Sequence, residues 1–246
     1  NKKTKALLVV SLFGLMPDMD KISKIAKDNN LILIEDAAQS HGAEFKGKKS
    51  GSFSTACFSF YPTKNITTSE GGLITSNDGK FTEKCRMTIN HGSKAKYHHE
   101  IFGLNFRMTN ICAAIGLEQL KKLDYFNNKR IENAQYLIKN LKNLNMILPT
   151  AKPGHKHVYH QFTIMVENRD EVLKKLDEKE IKASIFYPKP VFEQPFYKDL
   201  GYNGKGFNVV NKVCNKVLSL PVHPSLTKEE LDYMINVLKE ILWGSL

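Results

Sequence analysis

Two apolar runs without polar alternation, KALLVVS at residues 5–11 and LILIE at residues 31–35, bracket a segment of helical period. Strands that face water on one side alternate in polarity, so these runs predict parallel strands covered on both faces. Between them, Met19, Ile22, Ile25 and Ala26 share one helix face, with Asp18 as N-cap and Asn29-Asn30 as the stop. The result is a βαβ unit, which points to an α/β fold with a mainly parallel sheet.

Further strands are expected at residues 56–61 and 72–76, and helices at 80–89, 109–123 and 125–144. After TAKPGHK the pattern becomes α+β, with strands at 158–166 and 181–186 and helices at 170–179 and 227–242. A boundary is placed between residues 124 and 125, giving a large domain at 1–124 and a connecting helix plus small domain at 125–246. Because the chain opens on a strand of central type, further elements of the sheet are expected upstream of Asn1.

With 41% hydrophobic and 25% charged residues and no long apolar run, the 246-residue chain reads as globular, with no membrane span. The start, NKKTKALLVVSLFG, reads as a buried strand and not as a signal peptide. Cys57, Cys85, Cys112 and Cys214 are scattered, with no CxxC pair, and read as reduced, buried thiols of a cytoplasmic protein. The net charge of +11 is spread over small groups such as Lys46, Lys48 and Lys49, with no basic helix. A solvated basic surface is favoured over a nucleic-acid platform, and a phosphate-bearing small ligand is compatible with it.

Ligands of open α/β sheets bind beyond the carboxyl ends of the strands, where LILIE delivers Asp36; Glu35 should point to the other face. A cap of the following turn is an equal reading of Asp36. The run FSFYPTKN delivers Ser59 and Lys64 in the same way. A single lysine is most often a surface lysine, but one at a buried strand end can be desolvated and made nucleophilic enough for a Schiff base. A carboxylate and a lysine on neighbouring strand ends, 28 residues apart, suit pyridoxal 5'-phosphate, the first at its pyridine nitrogen and the second at its aldehyde carbon. His155, His157 and His160 cannot all meet one metal from a strand, so no metal site is expected. His41 reads as a packed loop histidine or a weak substrate contact.

Four ordered segments, EDAAQSHGA, FSFYPTKNITTSEGG, GLNFRMTNICAAIGLEQL and LSLPVHPSLT, make the chain resemble the DegT/DnrJ/EryC1/StrS family of sugar aminotransferases. The resemblance implies the aspartate aminotransferase-like fold (PLP fold type I), with residues 1–124 as part of the cofactor-binding domain. It implies a homodimeric enzyme that aminates a nucleotide-linked keto sugar with a donor such as glutamate, in ping-pong fashion. Lys64 would hold the cofactor and then move protons, Asp36 would pair with the pyridine nitrogen, Gln39 would contact the ring and its hydroxyl, and Ser59 the phosphate. Asn105 would reach the cofactor of the other subunit. Arg107, near the same junction, is a weaker substrate candidate or a surface ion pair, and Tyr187 is a further weak substrate candidate. Relatives that dehydrate sugars carry histidine at the Lys64 position, so transamination is favoured. Ser11, Ser69 and Phe192 depart from the usual pattern, the last near the expected sugar pocket. Family members begin well before Asn1, so the chain is expected to be about the last two-thirds of a member, without a turn that binds the cofactor phosphate. A truncated, impaired or regulatory member of the same fold is the alternative.

Overall fold

The computed structural model describes residues 1–243; the last three positions of the expected 125–246 domain lie outside the described residues. Strand β1 (Ala6–Val10), helix α1 (Met19–Asp28) and strand β2 (Ile32–Asp36) form the βαβ unit, with β1 and β2 parallel and Val10 opposite Asp36. The Asp18 carboxylate caps α1 by accepting from the Lys21 amide at 3.2 Å. A hairpin of β3 (Glu44–Phe45) and β4 (Lys48–Lys49) leads to β5 (Thr55–Ser59), which runs parallel to β2. Strand β6 (Gly72–Thr75) is antiparallel to β5 and completes the order β1-β2-β5-β6, so the sheet is mixed.

The expectation that the apolar strands are covered on both faces is not met. Leu8 and Ile32 are 65% and 63% exposed, and Val10 and Cys57 also face outward. These residues alternate with partly or fully buried neighbours, because successive side chains point to opposite faces and only one face is packed. The cysteines are likewise not buried: all four are free, Cys57 is exposed and the others are half-buried.

The packed face meets a core of Met16, Met19, Ala43, Phe45 and Val158, with Leu33 and Phe53 against it. Strand β9 (His155–Lys156) joins the β3–β4 hairpin through β3. Helix α2 (Gly79–Thr88), the short pair β7 (Ser93–Ala95) and β8 (His98–His99), helix α3 (Asn110–Leu120) and the first turn of α4 (Leu123–Leu141) complete a compact unit of residues 1–128 and 151–160. The three clustered histidines have separate surroundings here: His155 sits against Phe45 and His157 stacks on Tyr159 at 3.9 Å, while His160 bonds to Asn65.

The second unit comprises residues 129–150 and 161 onward. Its strands β10 (Phe162–Met165) and β11 (Val217–Leu220) are antiparallel, accompanied by α5 (Arg169–Glu178), α6 (Pro195–Asp199), α7 (Asn208–Cys214) and α8 (Lys228–Trp243). Phe162, Ile164, Leu176, Leu218 and Leu238 are fully buried, as are Leu137 and Leu141 of α4. The expected strand at 181–186 is reduced to a single bridge, Ser184 with Ser219. Pro188 and Pro190 follow closely, and proline cannot supply the amides a longer ladder needs.

Removing the fully buried Met19 side chain in Met19→Ala should cost about 2–5 kcal/mol of stability, measured by urea denaturation. Burial holds the pKa of His157 down to about 4, against a smaller opposing influence of the Gly14 backbone. The unfolded chain therefore binds more protons than the folded one between about pH 6.5 and 4, and stability falls as pH drops through that window. His157→Gln should flatten the acid limb of the melting curve by roughly 3 kcal/mol in total.

Candidate active site

The last residue of β2, Asp36, lies opposite Cys57 of β5, and Ser59 follows two residues later on the same face. Asp36 and Ser59 line one cavity of about 260 Å³ with Leu8, Ile34 and Ala38. The Ala38 amide donates to Asp36 Oδ1 at 3.0 Å, so the carboxylate does cap its turn, and its other oxygen has no hydrogen bond among the described residues. Glu35 points the opposite way and is fully buried. Its carboxylate accepts from Ser11 Oγ at 3.1 Å, Ser50 Oγ at 2.5 Å and the Gly51 amide at 2.8 Å. Three donors offset the cost of burying the charge.

Lys64 sits on a loop that folds back on the end of β5. The Thr68 amide at 3.0 Å and Thr67 Oγ1 at 2.8 Å both donate to the Phe60 carbonyl, and the Lys64 amide donates to Tyr61 O at 3.0 Å. The Lys64 side chain is half-buried and makes no ion pair among the described residues. Burial holds its amine below the usual lysine range, while the negative charge of Asp36 pulls it back up. An amine that loses its proton more easily than an ordinary lysine, within electrostatic reach of a carboxylate, can act as nucleophile and as base.

His41 is buried with its ring 5.4 Å from Phe58 and 5.5 Å from Phe60. Burial, and then the positive charge of Lys64, bring its pKa to about 4, so the ring is neutral at pH 7. The Ser59 backbone leans the other way, but outside hydrogen-bonding geometry: neither ring nitrogen has a hydrogen bond among the described residues. Gln39 Oε1 accepts from the Phe13 amide at 2.6 Å, tying the loop after β2 to the turn after β1. Ser59 Oγ accepts from the Tyr61 amide at 3.3 Å.

The remaining sequence candidates have the following surroundings. Asn105 is exposed and bridges to Asn90, and it is not among the residues that line the Asp36 cavity. Arg107 donates to Asn90 Oδ1 at 2.9 Å, so its partner is a neutral amide and not the acid of a surface ion pair. Tyr187 belongs to the second unit and is half-exposed, with its ring near Phe186.

Sequence reasoning missed a buried polar group beside Lys64. Asn65 Nδ2 donates to Asn127 Oδ1 at 2.7 Å, and Asn127 Nδ2 donates to the His41 carbonyl at 2.8 Å. A signal for it existed: Asn127, Arg130, Ala134, Leu137 and Leu141 fall on one stripe of α4, so two polar residues continue an apolar face.

A profile of the DegT/DnrJ/EryC1/StrS aminotransferase family matches residues 1–239. The chain is 38% identical over 244 residues to the pleiotropic regulatory protein of Geobacillus stearothermophilus, covering 97% of this chain and 66% of that protein. It is 36% identical over 241 residues to dTDP-3-amino-3,4,6-trideoxy-alpha-D-glucose transaminase of Streptomyces venezuelae, covering 97% and 64%. The crystal structure of S. venezuelae DesV in complex with a ketimine intermediate superposes with a TM-score of 0.95 at 34% identity, over 100% of this chain and 67% of that one. The chain thus spans about two-thirds of the length of these relatives. With a family match along nearly its whole length and that fold, the chain belongs to the DegT/DnrJ/EryC1/StrS aminotransferase family.

Proposed function

We propose that the protein is a pyridoxal phosphate-dependent aminotransferase that converts a nucleotide-linked keto sugar into an amino sugar, using an amino-acid donor such as glutamate. The observation that carries this reading is Lys64: an amine with no ion pair among the described residues, held below the usual lysine range by burial and answered by Asp36. The donor set suits the cofactor, with Lys64 for its aldehyde, Asp36 for its pyridine nitrogen, Gln39 for its hydroxyl side and Ser59 for its phosphate. When bound, pyridoxal phosphate supplies an electron sink that stabilises charge developing on the donor carbon.

In this scheme the Asp36 oxygen that has no hydrogen bond among the described residues would pair with the pyridine nitrogen and favour its protonated form. Lys64 would hold the cofactor at its aldehyde carbon, and its amine, held below the usual lysine range by burial, would serve as the base that moves the proton at the donor carbon. Neutral His41 forms an uncharged wall beside Lys64, so the amine has no second cation against it. Asn105, exposed and not among the residues that line the chain's own cavity, is suited to reach a second copy, which fits a homodimer with shared sites. Arg107, Tyr187 and His41 are kept as secondary candidates for the sugar side. Four free thiols suit a reducing compartment, and the cytoplasm is the proposed location; no described helix is long and apolar enough to cross a membrane. The name of the Geobacillus relative keeps a regulatory role as the second reading.

Pyridoxal phosphate added to the purified chain should give a visible absorbance band that is lost in Lys64→Ala, and a band that survives this substitution would sink the assignment of Lys64. Turnover of keto-sugar nucleotides with glutamate should show parallel double-reciprocal lines, and Asp36→Asn should lower kcat by about 100-fold or more. Because Asp36 raises the proton affinity of Lys64, Asp36→Asn should also move the pH profile of Lys64 acetylation, read by mass spectrometry, toward lower pH.

A further inference from the structure

Three loops meet beside Lys64, and one side chain touches two of them. Asn127, near the N-terminal end of α4, is fully buried. Its Oδ1 accepts from Asn65, the residue that follows Lys64, at 2.7 Å. Its Nδ2 donates to the carbonyl of His41, on the loop that begins with Asp36 and Gln39, at 2.8 Å. The partners lie 62 and 86 residues away, so neither bond is local. Asn65 is itself fixed from the far side, donating to Val158 O at 3.3 Å and accepting from His160 Nδ1 at 3.3 Å. Gly42 supplies an independent sign of this contact: its φ is +77°, and a Cβ there would lie 2.7 Å from Asn127 Nδ2. The backbone after His41 therefore approaches the amide as closely as a residue without a side chain allows.

We propose that Asn127 is a positioning residue for the Lys64 site: its amide, accepting from the lysine loop and donating to the Asp36 loop, sets the distance between the amine and the carboxylate. An amide is suited to this task because it carries a donor and an acceptor on one rigid plane, whereas a carboxylate only accepts and a hydrocarbon does neither. With the link cut, a buried donor on Asn65 and a buried carbonyl on His41 lose their partner, and the two loops gain freedom to part. Lys64 then becomes better solvated, and its amine returns toward ordinary lysine behaviour.

The inference rests on the proposed role of Lys64, and the test separates the two. Asn127→Asp, nearly isosteric but unable to donate, and Asn127→Ser would be compared with the unaltered 246-residue chain by competitive acetylation of Lys64 against pH, with exposed Lys24 as internal reference, without cofactor. The expected result is a Lys64 profile displaced to higher pH while Lys24 is unchanged, and a pyridoxal phosphate band whose formation is slowed at least 10-fold. A folded variant with an unchanged Lys64 profile overturns the positioning role, and failure of both variants to fold makes Asn127 a structural residue and overturns it equally. If the unaltered chain gives no Lys64-dependent band, the cofactor reading falls, while the acetylation profiles still decide the positioning of Lys64.

Discussion

The arrangement depends on how the last two residues of β2 divide between the faces of the sheet. Glu35 turns to the packed side, where two serine hydroxyls and the Gly51 amide meet its carboxylate. A buried carboxylate with three donors resists any one-residue slip, because slippage would strand the charge in the core and throw Asp36 to the wrong face. The register that Glu35 enforces is what delivers Asp36 to the cavity. Ser50 also bonds to Ser40 at 2.7 Å, so the anchor reaches the loop that holds Gln39 and His41.

Much of this was legible in the residues. The βαβ unit, the capping role of Asp18, the opposed directions of Glu35 and Asp36, and the strand-end placement of Ser59 followed from periodicity and from where sheets present functional groups. The errors have physical reasons. Apolar runs point to strands covered on both faces, but an apolar sequence gives only the preference of a strand; whether a second layer lies over it is a tertiary fact. The segment at 181–186 carries strand-like residues but pairs at one point, next to two prolines. The bonds of Asn127 join residues 62 and 86 positions apart, and no local pattern encodes a link of that span. The stripe on α4 shows that Asn127 is buried without showing what it holds.

The same distinction applies to charge. A net charge of +11 suggests polyanions in general, yet the lysine that matters to the proposed chemistry is one whose amine burial holds below the usual lysine range. Many other lysines pair on the surface with acids such as Asp28, Glu118 and Glu132, in contacts that contribute little to stability. His41 is the counterpart of Lys64: its neutrality spares the lysine amine a like charge beside it.

The Phe60 carbonyl, which accepts from both Thr67 and Thr68, has a kinetic meaning under the proposed function. It closes the lysine loop on itself, so the main chain on either side of Lys64 is fixed while the four-carbon arm can still turn. Such a tether would keep the Lys64 amine close to the cofactor's aldehyde carbon, so that their encounters would be intramolecular with a high effective molarity. The cost is confined to the rotamers of one side chain, roughly 2 kcal/mol of entropy, because the backbone was ordered when the chain folded.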